Sequence, residues 1–303
     1  MHTLIRWFAA RPANVRGLIW CLLAAITFMS MVMIVRRLST EFNAGELAFW
    51  RALFGLLLLA PVLMRTGAKI FRTKKISLHV LRNLMHFVAI AAWYYAISGI
   101  NLSVGMSLQF SVPIITIILA IVFLGERVSA ARWAATAAGF AGVLIILRPG
   151  IEPVTIFAIA AMVAAVGYAG ANIATKMLSP DSNSDTIVFY MNAIHLPLAL
   201  ATAMLMGGFS IPSLGQLPWL VGVAASATLA HWLLAQALAQ GDASVVIIGE
   251  FSKLPLVTIG AFLFFGEAPV VWAWLGGAIV FATTLYIVRL ETRAAKTTVM
   301  TPD

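Results

Sequence analysis

The sequence is poor in charge, and in acid most of all. Of 303 residues only 11 are Asp or Glu and 20 are Lys or Arg, together 10%, while 62% are apolar and mean hydropathy is +0.98. A soluble protein of this length carries about 25% charged residues, so a water-soluble enzyme or a large sensor domain is excluded. A spanning helix needs roughly 20 apolar residues, and ten would take about 200, leaving only short connections. The apolar stretches do not alternate with polar residues as β-barrel strands do over about ten residues. The single cysteine, Cys21, rules out an intramolecular disulfide. No GxxxxGK[ST] occurs, so ATP is not the energy source. His86, His195 and His231 lie on different apolar stretches with no HExxH or clustered Cys/His spacing, so no metal site and no cofactor is expected.

What is present is a series of apolar runs. Windows of about 19 residues give ten expected helices at 17–35, 45–64, 78–97, 102–124, 130–147, 154–177, 185–206, 217–238, 243–265 and 270–288. Breakers fall between them at 66–75, 148–153, 179–184 and 207–218. The first run follows Arg6, Arg11 and Arg16 and is followed by Arg36 and Arg37. It is too long for a cleavable signal core and is read as an uncleaved first helix.

The chain repeats itself. A shift of 141 residues lays Ser103 on Ser244, Phe110 on Phe251, Ser111 on Ser252, Gly125 on Gly266, Glu126 on Glu267, Trp133 on Trp274 and Arg148 on Arg289. A shift of 140 pairs Arg36 with Lys176, Ser39 with Ser179 and Phe49 with Phe189. The organisation is a segment 1–16, a first five-helix unit 17–148, a second 153–290 and a tail 291–303. Five spans is odd, so the second unit enters the bilayer from the opposite side and the repeats are inverted. Charge agrees with this: with the N-terminus inside, 14 of the 20 basic residues fall in cytoplasmic segments. The net charge of +9 is therefore topological, and nucleic acid is not a partner. Both termini are expected in the cytoplasm.

An ionisable side chain within a span costs roughly 2.5–3.5 kcal/mol on insertion scales, so each one retained asks for a reason. Glu250 and Lys253 in the ninth helix are three residues apart, on one face, just before Pro255. The repeat partner of Glu250 is Gln109, just before Pro113. Polar groups beside helix-interrupting prolines in both halves point to a transporter's central site, and a buried ion pair with two packing kinks is the structural alternative. Gln109, Ser111, Glu250, Ser252 and Lys253, with Trp93, Tyr94 and Tyr95 as stacking groups, are the expected cavity lining. Glu250 is the first candidate for proton coupling or for a substrate amine, with Lys253 able to neutralise it. Glu46, Arg51 and His86 are further candidates for coupling or gating. Arg82 reads as an anchor to lipid phosphate near the cytoplasmic end. Asn101 and Asp242 read as helix N-caps, and Glu126 and Glu267 as caps for the helix that follows each. Gly139, Gly142, Gly167, Gly170, Gly276 and Gly277 read as packing positions.

Phe123-Leu124-Gly125-Glu126-Arg127, Phe264-Phe265-Gly266-Glu267, Pro113, Pro255, Ala138 to Val143 and Phe49-Trp50 with Glu46 and Arg51 resemble the EamA-type branch of the drug/metabolite transporter superfamily. The resemblance runs from about residue 17 to 290 and departs where Gly139 and Gly142 meet Val280 and Thr283. It implies an all-α membrane protein of ten helices in two inverted repeats with a central cavity and alternating access, in a bacterial inner membrane. It also implies a small organic cargo of the amino acid, S-adenosylmethionine or riboflavin kind. Partners are then the solute, the lipid bilayer and a proton or counter-solute; cargo, direction, coupling ion and oligomeric state are not specified. A non-transporting membrane subunit or sensor is the alternative, and an intramembrane enzyme lacks any convincingly spaced nucleophile and base.

Overall fold

The computed structural model describes residues 10–99, 111–147 and 155–265, together with positions 6, 8, 108 and 109 and scattered ones between 275 and 290. Most of the expected tenth helix, Asn101, Glu267 and the whole of the linker 148–153 lie outside these residues. Nine helical stretches are described: α1 (Ala13–Leu38), α2 (Ala44–Leu58, continued by Ala60–Thr66), α3 (Ile76–Gly99), α4 (Ser111–Leu119), α5 (Ala130–Leu147), α6 (Ile156–Leu178), α7 (Ser184–Leu205), α8 (Leu217–Gln240) and α9. The last is interrupted, running Ala243–Val246, then a 3-10 segment Ile247–Ser252, then Lys253–Phe265. Seven are long and apolar enough to cross a membrane.

Local chemistry sets the boundaries. Asn43 and Glu46 form a capping box: Glu46 N–H donates to Asn43 Oδ1 at 2.9 Å and Asn43 N–H to Glu46 Oε2 at 2.8 Å. Asn183, at the matching place in the second unit, accepts from Thr186 N–H at 2.8 Å and starts α7. Pro61 lies in the first turn of the continuation of α2, where the stretch from Ala44 breaks at Leu59. A π-turn, Ala120–Leu124, ends α4, and Gly125 closes it at φ +66°, a left-handed backbone that glycine adopts without strain.

Packing is exchanged between the units. The first helix of each lies against the third helix of the other, α1 on α8 and α6 on α3, while α2 meets α7. Gly45 brings α2 against α7: a Cβ there would stand 2.4 Å from the Ala203 nitrogen. Gly167 does the same for α6 and α3, its imaginary Cβ 2.9 Å from Ala89 Cβ and from the Met85 carbonyl. Phe251 of α9 presses on Gly139 of α5 and joins a core with Leu18, Ile117, Ala135 and Val257. Around this bundle the large apolar side chains face outward, among them Leu23, Val88, Val122, Phe123, Val166, Leu229 and Leu263. Such a belt is stable only in hydrocarbon. The most apolar stretch of α9 is 60% buried, against 33% to 39% for the other spans, so α9 occupies the middle.

Candidate functional site

A cavity of about 100 Å³ opens between α1, α3, α4, α6, α8 and α9, the first, third and fourth helices of both units. Glu250 sits on its wall because the 3-10 segment of α9 winds more tightly there, and the Lys253 ammonium donates to its carboxylate. The Lys253 ammonium also lies 4.4 Å from the Phe28 ring centroid, a cation–π contact, and Cys21 Sγ is 3.7 Å from Glu250 Oε1. Gln109, the repeat partner of Glu250, lines the same space and donates to the Ala161 carbonyl at 3.2 Å. Trp93 and Pro113 line it as well. Tyr94 lies farther along, in adjoining space between α1 and α3, and Tyr95 is half exposed. Ser111 and Ser252 line none of these spaces among the described residues. Ser252 Oγ donates to the Gly249 carbonyl of its own turn at 2.6 Å, and Ser111 Oγ faces Met162.

Beside the ion pair is a basic cluster that residue spacing did not reveal. Arg51 Nη2 donates to His195 Nδ1 at 2.8 Å. A guanidinium only donates, so His195 Nδ1 must be the unprotonated nitrogen, and Nε2–H then donates to the Asn83 carbonyl at 3.2 Å. Arg82 Nη1 donates to Asn83 Oδ1 at 2.6 Å and its Nε to Thr175 Oγ1 at 3.2 Å. His86 stacks on His195, rings 5.2 Å apart and 10° from parallel, and meets His231 edge-on at 4.7 Å. The anchoring role expected for Arg82 is therefore overturned: it is 4% exposed and faces the cavity, because its side of α3 packs on α6. No carboxylate meets Arg51 among the described residues. Among the described residues no group of three His, Cys, Asp or Glu has the geometry to hold a metal ion.

Glu46 stands apart from the cavity. Beyond its capping box it accepts from Ser210 N–H at 2.6 Å and from the Ser210 hydroxyl, which ties the start of α2 to the loop before α8. Glu126 is likewise corrected. Its carboxylate accepts from Ala243 N–H at 2.8 Å and Ser244 N–H at 3.0 Å, so it caps α9 of the other unit and not the helix that follows it. Asp242, at the N-cap position of α9, makes no side-chain cap. It accepts instead from Arg132 at 3.1 Å and from Asn14 at 3.3 Å. Lys176 donates to the Leu238 and Gly241 carbonyls at 2.8 and 2.6 Å. The beginnings of α1, α5 and α9 and the ends of α4, α6 and α8 are thus joined at one end of the bundle. Toward the other end the cavity continues past Tyr94 and Val35 to Ser39 and Asn43.

A helical membrane bundle of two repeats around a largely apolar cavity that holds a few ionisable groups is the architecture of a solute carrier. The model of the EamA-like transporter family matches residues 15–148 and 155–289. A riboflavin transporter of Rhizobium johnstonii is 32% identical over 94% of this chain and 95% of its own. The S-adenosylmethionine uptake transporter of Rickettsia bellii is 27% identical over 92% and 95%. A riboflavin transporter of Vibrio cholerae is 29% identical over 93% and 95%. A solved crystal structure superposes with a TM-score of 0.74 at 15% identity, over 90% of this chain and 97% of that one, which establishes likeness of fold. The chain belongs to the EamA-like transporter family. It is a multi-pass membrane transporter of small metabolites and not an enzyme.

Proposed function

We propose that this protein carries a polar aromatic metabolite, of the riboflavin or S-adenosylmethionine kind, across a bacterial inner membrane by alternating access of the central cavity. The observation that carries this reading is the composition of the cavity wall, to which the same three helices of each repeat contribute. A site on the axis between two repeats is the one position that a rocking of one repeat against the other exposes to either side in turn. With ten helices in two inverted repeats and both termini in the cytoplasm, the end joined by Glu126, Asp242 and Lys176 is the cytoplasmic one. In that orientation the described arrangement is closed to the cytoplasm. Trp93, Phe28 and Tyr168 supply flat apolar surface for a ring system. The Glu250–Lys253 pair supplies one charge of each sign.

The test is counterflow in proteoliposomes containing only this protein, with labelled riboflavin and S-adenosylmethionine, beside Glu250→Gln. Accumulation of either compound against the unlabelled pool is expected, and any proton dependence should disappear in the variant while the fold remains. Retention of pH dependence in Glu250→Gln would remove Glu250 as the coupling group. No counterflow of either compound by folded protein would overturn the cargo assignment.

A further inference from the structure

Resting on the reading of the cavity as the transport site, and narrowing its cargo to a compound with a carboxylate or a phosphate, as S-adenosylmethionine has and riboflavin has not, we infer that this anionic group docks between Arg51, Arg82 and His86. Among the described residues the charges inside the bundle do not balance without it. Lys253 neutralises Glu250. Arg51 and Arg82 are 2% and 4% exposed, and their hydrogen-bond partners are His195, Asn83 and Thr175, none of which carries negative charge. A guanidinium remains protonated, so two positive charges stand in the interior of the bundle with only neutral partners among the described residues. Burial of that kind is sustained where a counter-charge arrives.

Geometry makes these groups one receptor. The chain Arg51–His195–Asn83–Arg82 fixes the two guanidiniums with respect to each other across α2, α7 and α3. Two nitrogens around it, Arg51 Nε and His86 Nδ1, are buried and without a partner among the described residues. Arg82 and His86 face the central cavity, while Arg51 and His86 face the adjoining space, so His86 stands where the two meet. Both spaces also share Trp93, Tyr168 and His231. An acceptor-rich planar or tetrahedral anion suits such donors, because arginine forks match carboxylate and phosphate oxygens in pairs. The aromatic walls then take the body of the molecule.

The test uses purified protein in an uncharged detergent and follows its thermal melting with probe pairs of which one member carries an anionic group and the other does not. Benzoate is compared with benzamide, and riboflavin 5′-phosphate with riboflavin, at constant ionic strength. The charged member of a pair is expected to protect at about tenfold lower concentration or better, as hydrogen bonds to charged groups allow. Arg82→Gln and Arg51→Gln should erase the difference, and Arg82→Lys should keep part of it by retaining charge without the fork. The wild-type comparison needs no variant to fold. Equal protection by both members of both pairs would overturn the inference, as would a preference left intact in folded Arg82→Gln and Arg51→Gln. Phosphatidylglycerol added to the same detergent is expected to have no effect; protection by it equal to that of the soluble anions would assign the receptor to a lipid headgroup and overturn the cargo claim. Counterflow separates the two readings: failure of all transport with anion protection intact supports the receptor and sinks the carrier reading, while transport of a neutral compound without anion preference sinks only this inference.

Discussion

Gly45 illustrates how much of the fold rests on single side chains, or on their absence. An added methyl there would meet backbone atoms of Ala203 and Thr202, which cannot rotate away, so α2 and α7 would have to separate. Gly45→Ala should destabilise the protein by about 1–3 kcal/mol, the usual range for overpacking, read as a lower melting temperature in detergent. A much milder outcome is expected for Asp181, in the short loop between α6 and α7. The Lys75 ammonium, hydrogen-bonded to it at 2.7 Å, holds its carboxyl below the usual aspartate range, though both side chains are well exposed. A depressed acid stabilises the folded state above its unfolded pKa and loses that contribution as pH falls through the folded value. Asp181→Asn should therefore lower the melting temperature slightly at neutral pH and leave it unchanged in strong acid. At this scale the sequence revealed pairs on one helix and little else. Glu250 and Lys253 were legible because three residues apart is one face. The convergence of His86, His195 and His231 was not, because each lies on a different helix and only tertiary packing brings them together. Arg82 was misread for the same reason: periodicity gives a helix a polar face without saying whether lipid or protein lies against it.

Among the elements, α9 departs most from a regular helix, with its 3-10 segment where Glu250 projects. Pro255 marked the neighbourhood of the interruption in the sequence, but the irregular segment precedes it, ending at Ser252. The cap on α9 was misassigned because sequence shows only the helix that follows Glu126. The carboxylate instead reaches the free amides of α9, which tertiary packing brings beside the end of α4. Removing it with Glu126→Ala should weaken the joined end by about 0.5–2 kcal/mol, as loss of an N-cap does. Cys21, buried and unpaired two turns inside α1, reports on that opening without any engineered label. Its modification by a water-soluble maleimide should accelerate by about two- to thirtyfold in Glu126→Ala, the same free energy expressed as a rate. An unchanged rate would mean that the cap does not hold this end closed.

The whole molecule was the most legible level, since a repeated register of Gly, Glu, Ser and Trp survives where individual contacts cannot be read, and the family model matches once in each half. What the register could not show is that the halves exchange helices, α1 lying on α8 and α6 on α3. Neither half can bury its own first helix, so residues 1–150 and 151–303 produced separately should be degraded, and co-produced they should assemble and restore counterflow. Recovery of a stable, folded half by itself would contradict the exchanged packing. The same pairing imposes a wait during biosynthesis. At about 5–20 residues per second, the ribosome needs on the order of ten to forty seconds to pass from the end of α1 to the end of α8. Throughout that interval α1 stands in lipid without its partner, and Arg51 and Arg82 enter the bilayer before His195 has been made. The insertion machinery must therefore shelter a half-built polar core, which makes the early helices the stage at which a chaperone of membrane insertion would matter most.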